Sequence, residues 1–155
     1  MLTPYNDKML KLIKNSEKFY TPKERPSGHD ILSSFGKDNG GAIPSNLLQI
    51  SNSESTSQYL RYCKELGIKS HPARFPAGWP EFFIKFLTDE SDFAVDIFGG
   101  SNTTGHIAEK LNRKWLSIEL SQAYVAASSL RFAKTIKNAK EYHDKIMEGA
   151  AIIIP

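Results

Sequence analysis

The stretch from Phe93 to Leu120 reads FAVDIFGGSNTTGHIAEKLNRKWLSIEL and gathers Asp96, a Gly-Ser-Asn-Thr loop and Glu119 into one strand–loop–helix–strand unit. A strand that runs into a glycine-rich loop and then a helix makes an anion- and nucleoside-binding corner. The first N–H groups of the helix have no intrahelical acceptor, and glycine lets the backbone approach a ligand closely. An acidic residue ending the next strand, about 20 residues on, can accept both hydroxyls of a ribose. Asp96 and the loop from Gly99 to Gly105 form the first part of such a corner, and Glu119 stands where the ribose would need it.

The class of ligand follows from two missing signatures. GGSNTTG does not supply the dinucleotide fingerprint G-x-G-x-x-G, and no Lys follows Gly105 as a P-loop requires. A ligand with a ribose and no phosphate is therefore favoured, and S-adenosylmethionine (AdoMet) fits that description. The competing reading is a glycine-rich turn that only packs helix on sheet. The position of Glu119 argues against it.

These residues need a fold to hold them. The chain has 155 residues, enough for one domain with a core and too few for two comfortable ones. A hydrophobic content of 40% and a charged content of 24% describe an ordinary globular protein. No apolar run is long enough to span a bilayer, and MLTPYNDKML has no hydrophobic signal region, so a cytoplasmic protein without membrane contact is expected. The single cysteine, Cys63, excludes an internal disulfide and a Cys-rich zinc site, and it reads as a small buried residue in a helix. No metal is expected. A net charge of +3 with a pI near 8.9 permits contact with a polyanion, but the cations are dispersed rather than clustered.

Periodicity predicts an amphipathic helix over 5–19 and a loop over 21–30, where Asp30 caps a short turn through Ser34. A second loop covers 36–46. LLQISN, 47–52, reads as a buried strand between turn residues. A helix is predicted from Ser55 or Thr56 to Leu66, with Gly67 as its stop, and 71–80 carries three prolines and reads as extended or turning. A helix over 81–88, a buried strand in DFAVDIF, a helix from the loop to about Asn112, a strand in KWLSIEL and a long helix over 121–146 complete the pattern. The terminal AAIIIP is an apolar tail without an evident role. The organisation expected is an N-terminal helix and loop over 1–30 and an α/β unit with a mostly parallel sheet over 31–155. Three strands make a small sheet, and a parallel sheet buries both faces, so this one reads as incomplete.

DIFGGSNTTGHIAEKLNRKWLSIEL resembles the AdoMet-binding motif of amino-group DNA methyltransferases, D-P-F-x-G-S-G-T-T-G followed by A-E-x-L-x-R-x-W-x-x-x-E. HPARFP with FFIKFLT resembles the segment that precedes this loop in permuted, beta-type members. RPSGHD, DNGGAIPSNLL and SNSESTSQYLRYCKELGIKSHPARFP extend the likeness over roughly 20–132. Asn102 replaces the second glycine of the pattern, and Asn is the non-glycine residue that best tolerates positive φ. Gly99 replaces the usual Ala, and Ile97 replaces the Pro after the first Asp.

The resemblance implies a Rossmann-like AdoMet-dependent methyltransferase fold, here as a half-domain. It implies that Asp96, Gly99, Gly100, Ser101, Asn102 and Thr103 wrap the methionine and ribose portions and that Glu119 binds the ribose hydroxyls. Phe98 would pack beside the cofactor, Phe75 of HPARFP would line the methionine end, and Trp115 would support the sheet. His71 reads equally as a ligand contact or as part of a Pro-bounded turn, and Trp79 as core or partner packing. Lys23, Arg25 and His29 are the candidates for DNA contact. Their alternative is a solvated loop with a capping Asp.

Methylating an exocyclic amine also requires the base to leave the stack and meet polar acceptors beside the methyl group. In the family that task falls to (D/N/S)-P-P-(Y/F/W), and this sequence holds no Pro-Pro pair. Thr3-Pro4-Tyr5 comes nearest, lacking one proline. No catalytic residue is therefore assigned. The expected activity is methyl transfer to cytosine N4 or adenine N6 of DNA, as in restriction–modification, with a complementary catalytic half or a homo-oligomer as partner. A non-catalytic remnant or DNA-binding interaction subunit is the alternative, and a self-contained small-molecule methyltransferase fits less well with the short sheet.

Overall fold

A computed structural model of the chain describes residues 1–19, 26, 28, 36–51 and 57–154. The expected cap at Asp30, the Ser55 and Thr56 caps and the DNA-contact candidates Lys23, Arg25 and His29 lie outside the described residues. The chain forms two units, Met1–Leu48 and Gln49–Pro155.

In the first unit, α1 (Asp7–Lys14) starts at Asn6, whose side chain accepts the Met9 N–H, and ends at Asn15. A short α2 (Ser16–Phe19) follows, so the single helix expected over 5–19 is broken into two. Asn15 leaves helical geometry at φ −136°, as an Asn can when its backbone is not held by packing. Thr3 and Ala42 form an isolated antiparallel bridge, and the Tyr5 hydroxyl accepts the Asn39 N–H at 2.8 Å.

LLQISN is not a strand in its described residues, 47–51. The Leu47 N–H is taken locally by Ser45 Oγ at 3.1 Å, a side-chain turn that competes with ladder formation, and Leu47 is exposed. The sheet therefore has two strands among the described residues, not three. They are β1 (Phe93–Asp96) and β2 (Lys114–Ser117), parallel and in register from Phe93↔Lys114 to Asp96↔Ser117. Between them α5 (Thr103–Lys110) makes the crossover, the βαβ connection a parallel pair demands.

The remaining helices pack around this pair. α3 (Gln58–Leu66) begins at Ser57, whose side chain accepts the Leu60 N–H, and stops at Gly67 with φ +67°. α4 (Gly78–Leu87) starts three residues earlier than expected, with Pro80 inside its first turn. Proline is tolerated there because its missing N–H would have no intrahelical acceptor. The long helix expected over 121–146 is divided into α6 (Gln122–Ser128), a 3₁₀ turn (Ser129–Arg131) and α7 (Ile136–Met147). Ser128 and Ser129 hydroxyls bond back to the Val125 and Ala126 carbonyls at 2.8 and 2.7 Å, and Thr135 caps the new start by accepting the Asn138 N–H.

Two apolar clusters hold the second unit. One joins Tyr59, Tyr62 and Cys63 of α3 to Leu130 and to Ala127, Ala133 and Ala139, and the small alanine side chains let α6 and α7 approach closely. The buried, unpaired Cys63 belongs to it, as the sequence suggested. The other sets Ile84 of α4 on Ile107 and Ala108 of α5, with Ala94 and Trp115 of the sheet against them. Burying a residue such as Leu130 contributes roughly 2 kcal/mol. Contrary to expectation, the strands are not buried on both faces: Ala94, Asp96, Trp115 and Ser117 are half-buried, while Phe93, Val95, Lys114 and Leu116 face out.

Candidate functional site

The Gly-rich loop is fixed by its own polar groups. Asp96, the last residue of β1, spends both carboxylate oxygens on it: Oδ1 accepts the Phe98 N–H at 3.0 Å and Oδ2 accepts the Thr104 hydroxyl at 2.6 Å. Phe98 is left 84% exposed at the tip. Gly99 donates its N–H to Ile118 O at 2.8 Å, and a Cβ there would run into the Ser117 hydroxyl, so close approach to β2 demands glycine.

Glu119 lies just beyond β2, and its two oxygens bridge the loop to α6. Oε2 accepts the Gly100 N–H at 2.9 Å, and Oε1 accepts the Ser121 N–H at 2.9 Å. The Ser121 N–H and then the Gly100 N–H hold its carboxyl below the usual glutamate range, partly opposed by burial. The Leu120 N–H also acts on this carboxylate, and because a carboxylate offers about four acceptor positions Glu119 retains capacity for a further donor.

Asn102 takes the left-handed conformation, φ +53° and ψ +44°, and its side chain caps α5 by accepting the Gly105 N–H at 3.0 Å. This is the geometry in which Asn substitutes best for glycine. Ser101 and Thr103 are buried, and Arg131 explains why. Arg131 Nε donates to Ser101 O, and Nη2 donates to Ser101 Oγ and Thr103 Oγ1 at 3.0 Å each. Its guanidinium also stacks 4.6 Å from the Tyr59 ring centroid.

The opposite wall comes from the proline-bounded segment. His71 rests its ring on Gly100, where a Cβ would sit 3.3 Å from it, and packs edge-on to Tyr124 at 4.4 Å between centroids. Its Nδ1 is 2.8 Å from Ala73 O, and its backbone N–H donates to the Tyr59 hydroxyl at 3.0 Å. Burial pushes the Tyr59 phenol up to about 12, so it stays protonated. Phe75 lines a separate apolar groove of about 400 Å³ with Trp79, Pro80, Phe83 and Ile84, and this groove reaches the site through Thr104. A smaller, half-open cavity of about 170 Å³ borders Gly100, Asn102 and Glu119 and is lined on another side by Ile152 and Ile154 of the terminal segment.

Asp96, Gly99, Gly100, Ser101, Asn102, Thr103, Glu119 and His71 thus converge on one loop. Phe98 and Phe75 stand at its margins, and Trp115 stacks on Phe132 at 5.2 Å behind it. Sequence reasoning missed Arg131, Tyr59, Thr104 and the terminal isoleucines. Arg131 is the sole charge in the stretch VAASSLRFA, a signal that reading the cations simply as dispersed passes over. Tyr59, Thr104 and the isoleucines carry no comparable local signal. Among the described residues, no three His, Cys, Asp or Glu side chains cluster as metal ligands, and no helix is long and apolar enough to cross a membrane.

The chain is 59% identical over 155 residues to the Type II methyltransferase M.PvuII of Proteus hauseri, covering 98% of this chain and 46% of that protein. The Type II methyltransferase M.HpaI of Haemophilus parainfluenzae is 26% identical over 129 residues, 83% of this chain and 38% of the relative. Among solved structures, the PvuII DNA methyltransferase (cytosine-N4-specific) superposes with a TM-score of 0.65 at 56% identity, over 69% of this chain and 39% of that one. The chain therefore spans less than half the length of these relatives. A DNA methylase family model matches residues 2–130, and this chain belongs to that family, the N6/N4 methyltransferases of DNA.

Proposed function

We propose that this chain is the AdoMet-binding part of a DNA methyltransferase that methylates cytosine N4. The observation that carries the reading is the Glu119 carboxylate, fixed beside the Gly100 turn by the Gly100 and Ser121 N–H groups, an acceptor just beyond β2 where a ribose hydroxyl would need one. The cytosine target, rather than adenine, follows the cytosine-N4 specificity of the similar PvuII DNA methyltransferase.

The residues present suit the cofactor. AdoMet supplies a methyl group activated on a sulfonium. Glu119 holds the ribose edge, and the backbone from Gly99 to Thr103 curves around the ligand, its shape kept by Asp96 below and by Arg131 behind. His71 closes the wall over Gly100, Phe98 folds beside the ligand, and Phe75 with its groove borders the methionine end. Positioning of this kind is the principal contribution a protein makes to a direct displacement. Nothing among these residues accepts protons from a base amine.

That role belongs to a Pro-Pro-aromatic segment outside these 155 residues, on whichever polypeptide carries it. Lys23, Arg25 and His29 contribute to contact with DNA. The test is transfer of radiolabelled methyl from AdoMet to cytosine-containing DNA. The chain alone transfers none, and the chain combined with a Pro-Pro-aromatic half does. Methylation by the purified chain alone defeats the division of labour, and transfer to adenine defeats the choice of base.

A further inference from the structure

One buried side chain touches both walls of the glycine loop. Tyr59 of α3 is 1% exposed, and its hydroxyl accepts the His71 backbone N–H at 3.0 Å. The same hydroxyl is bonded to the Cys63 thiol one turn along the helix. Its ring face carries the Arg131 guanidinium, 4.6 Å from the centroid. The helix is held at both ends, by the Ser57 cap and by Gly67, so the phenol is a fixed post. Each wall then bears on the loop. Arg131 bonds Ser101 O, Ser101 Oγ and Thr103 Oγ1. His71 bears on Gly100 from the opposite wall, where a Cβ would lie 3.3 Å from its ring. Two other contacts of His71, Nδ1 at 2.8 Å from Ala73 O and the bond from Arg74 Nη1 to His71 O, stay within three residues of it. They shape the segment without placing it on α3. The Tyr59 hydroxyl places it, across 12 residues of chain, while edge-on packing with Tyr124 steadies the imidazole from α6.

We infer that Tyr59 is a positioning residue of the cofactor loop: its hydroxyl sets the His71 wall and its ring sets the Arg131 fork, and the Gly100 turn is shaped between them. The inference rests on the proposed AdoMet site and names what preorganises it. Tyr59 acts through His71 and Arg131 and touches no ligand itself. A tyrosine kept only for its bulk would gain nothing from its hydroxyl, since phenylalanine fills the same volume in the cluster. Here that oxygen is the link between α3 and the segment that leans on Gly100. Walls fixed before the ligand arrives raise affinity, because the ligand is spared the cost of ordering them.

The test compares Tyr59→Phe with Tyr62→Phe in the full chain. Both remove a phenolic oxygen from one helix and one apolar cluster, but the Tyr62 hydroxyl reaches Lys134 O at 3.5 Å, which is no part of the loop. Phenylalanine keeps a ring under Arg131, so Tyr59→Phe isolates the hydroxyl. Amide hydrogen exchange of the ligand-free chain is read first. In Tyr59→Phe the His71 and Gly100 amides exchange roughly tenfold faster or more, because the His71 N–H loses its acceptor and its ring no longer bears on the turn. The Ile118 amide, bonded to Asp96 O at 2.9 Å beside the strands, keeps its rate, and all three keep theirs in Tyr62→Phe. AdoMet titration follows, with affinity lower by roughly tenfold in Tyr59→Phe and unchanged in Tyr62→Phe. Unchanged exchange at Gly100 in Tyr59→Phe overturns the inference. So does AdoMet affinity equal to wild type in Tyr59→Phe, or an equal loss in the two variants. If the wild-type chain binds no AdoMet, the cofactor reading fails, and the Gly100 exchange rate alone decides whether Tyr59 positions the loop.

Discussion

Glu119 Oε2 accepts the Gly100 N–H and Glu119 Oε1 accepts the Ser121 N–H, both at 2.9 Å, so one side chain ties the glycine loop to the start of α6. The residue proposed to hold the ribose is thus also a structural strut. Its two roles can be separated, since the strut exists without ligand.

Glu119→Ala removes both anchors. Each amide can turn to water at this half-exposed position, so the loss is about 1–2 kcal/mol in urea unfolding. The Glu119 carboxyl is depressed when folded, so its contribution is fully present above the ordinary glutamate value. It is lost as pH falls through the lowered folded value. The wild-type minus Glu119→Ala stability difference therefore shrinks only in acid below about pH 4.5.

Arg131→Met withdraws the donors that Ser101 and Thr103 face. Buried acceptors lose a charged partner, and the fold loses about 2–4 kcal/mol. If Arg131 positions the loop as well as stabilising it, Arg131→Lys, which retains a charge but not the fork, weakens AdoMet binding more than the single loss of stability predicts. Binding unchanged in Arg131→Lys would assign the residue to stability alone.

Gly105→Ala places a methyl against the Trp115 ring and the Asn102 side chain that caps α5. Overpacking of this kind costs roughly 1–3 kcal/mol, read as a lower denaturation midpoint without a change in slope. Gly67→Ala meets no atom within 4 Å and pays only for its left-handed φ, a smaller loss.

His106 packs edge-on to Phe132 at 5.7 Å, and burial, with Lys110 and Arg131 nearby, lowers its pKa to about 4. Between about pH 6.5 and 4 the unfolded chain binds a proton that the folded chain refuses, so stability falls as pH drops through that window. Partial exposure limits the effect to about 1–2 kcal/mol. His106→Leu flattens the thermal midpoint against pH over this range.

The α/β unit was legible because its signals are local. FAVD, the loop and KWLS announce themselves by composition, and Asp96, Asn102 and Glu119 sit where the loop's spacing places them. The errors arose where side chains redirect the backbone. Ser45 turned LLQISN away from a ladder, and Ser128 and Ser129 broke the long helix. That break is what brings Arg131 under the loop, so missing it also hid the residue with the most bonds to the site. Tyr59 and His71 meet across 12 residues of chain, and no periodicity reports such a pairing.

The central claim is that the loop and Glu119 hold AdoMet, and calorimetric titration of the full chain tests it most directly. The account predicts one AdoMet per chain, affinity reduced roughly tenfold or more in Glu119→Gln through loss of charged hydrogen bonds to the ribose, and no comparable binding of ATP or NAD. Equal affinity of wild type and Glu119→Gln, or no AdoMet binding by the wild-type chain either alone or in its complex with the catalytic half, would contradict it.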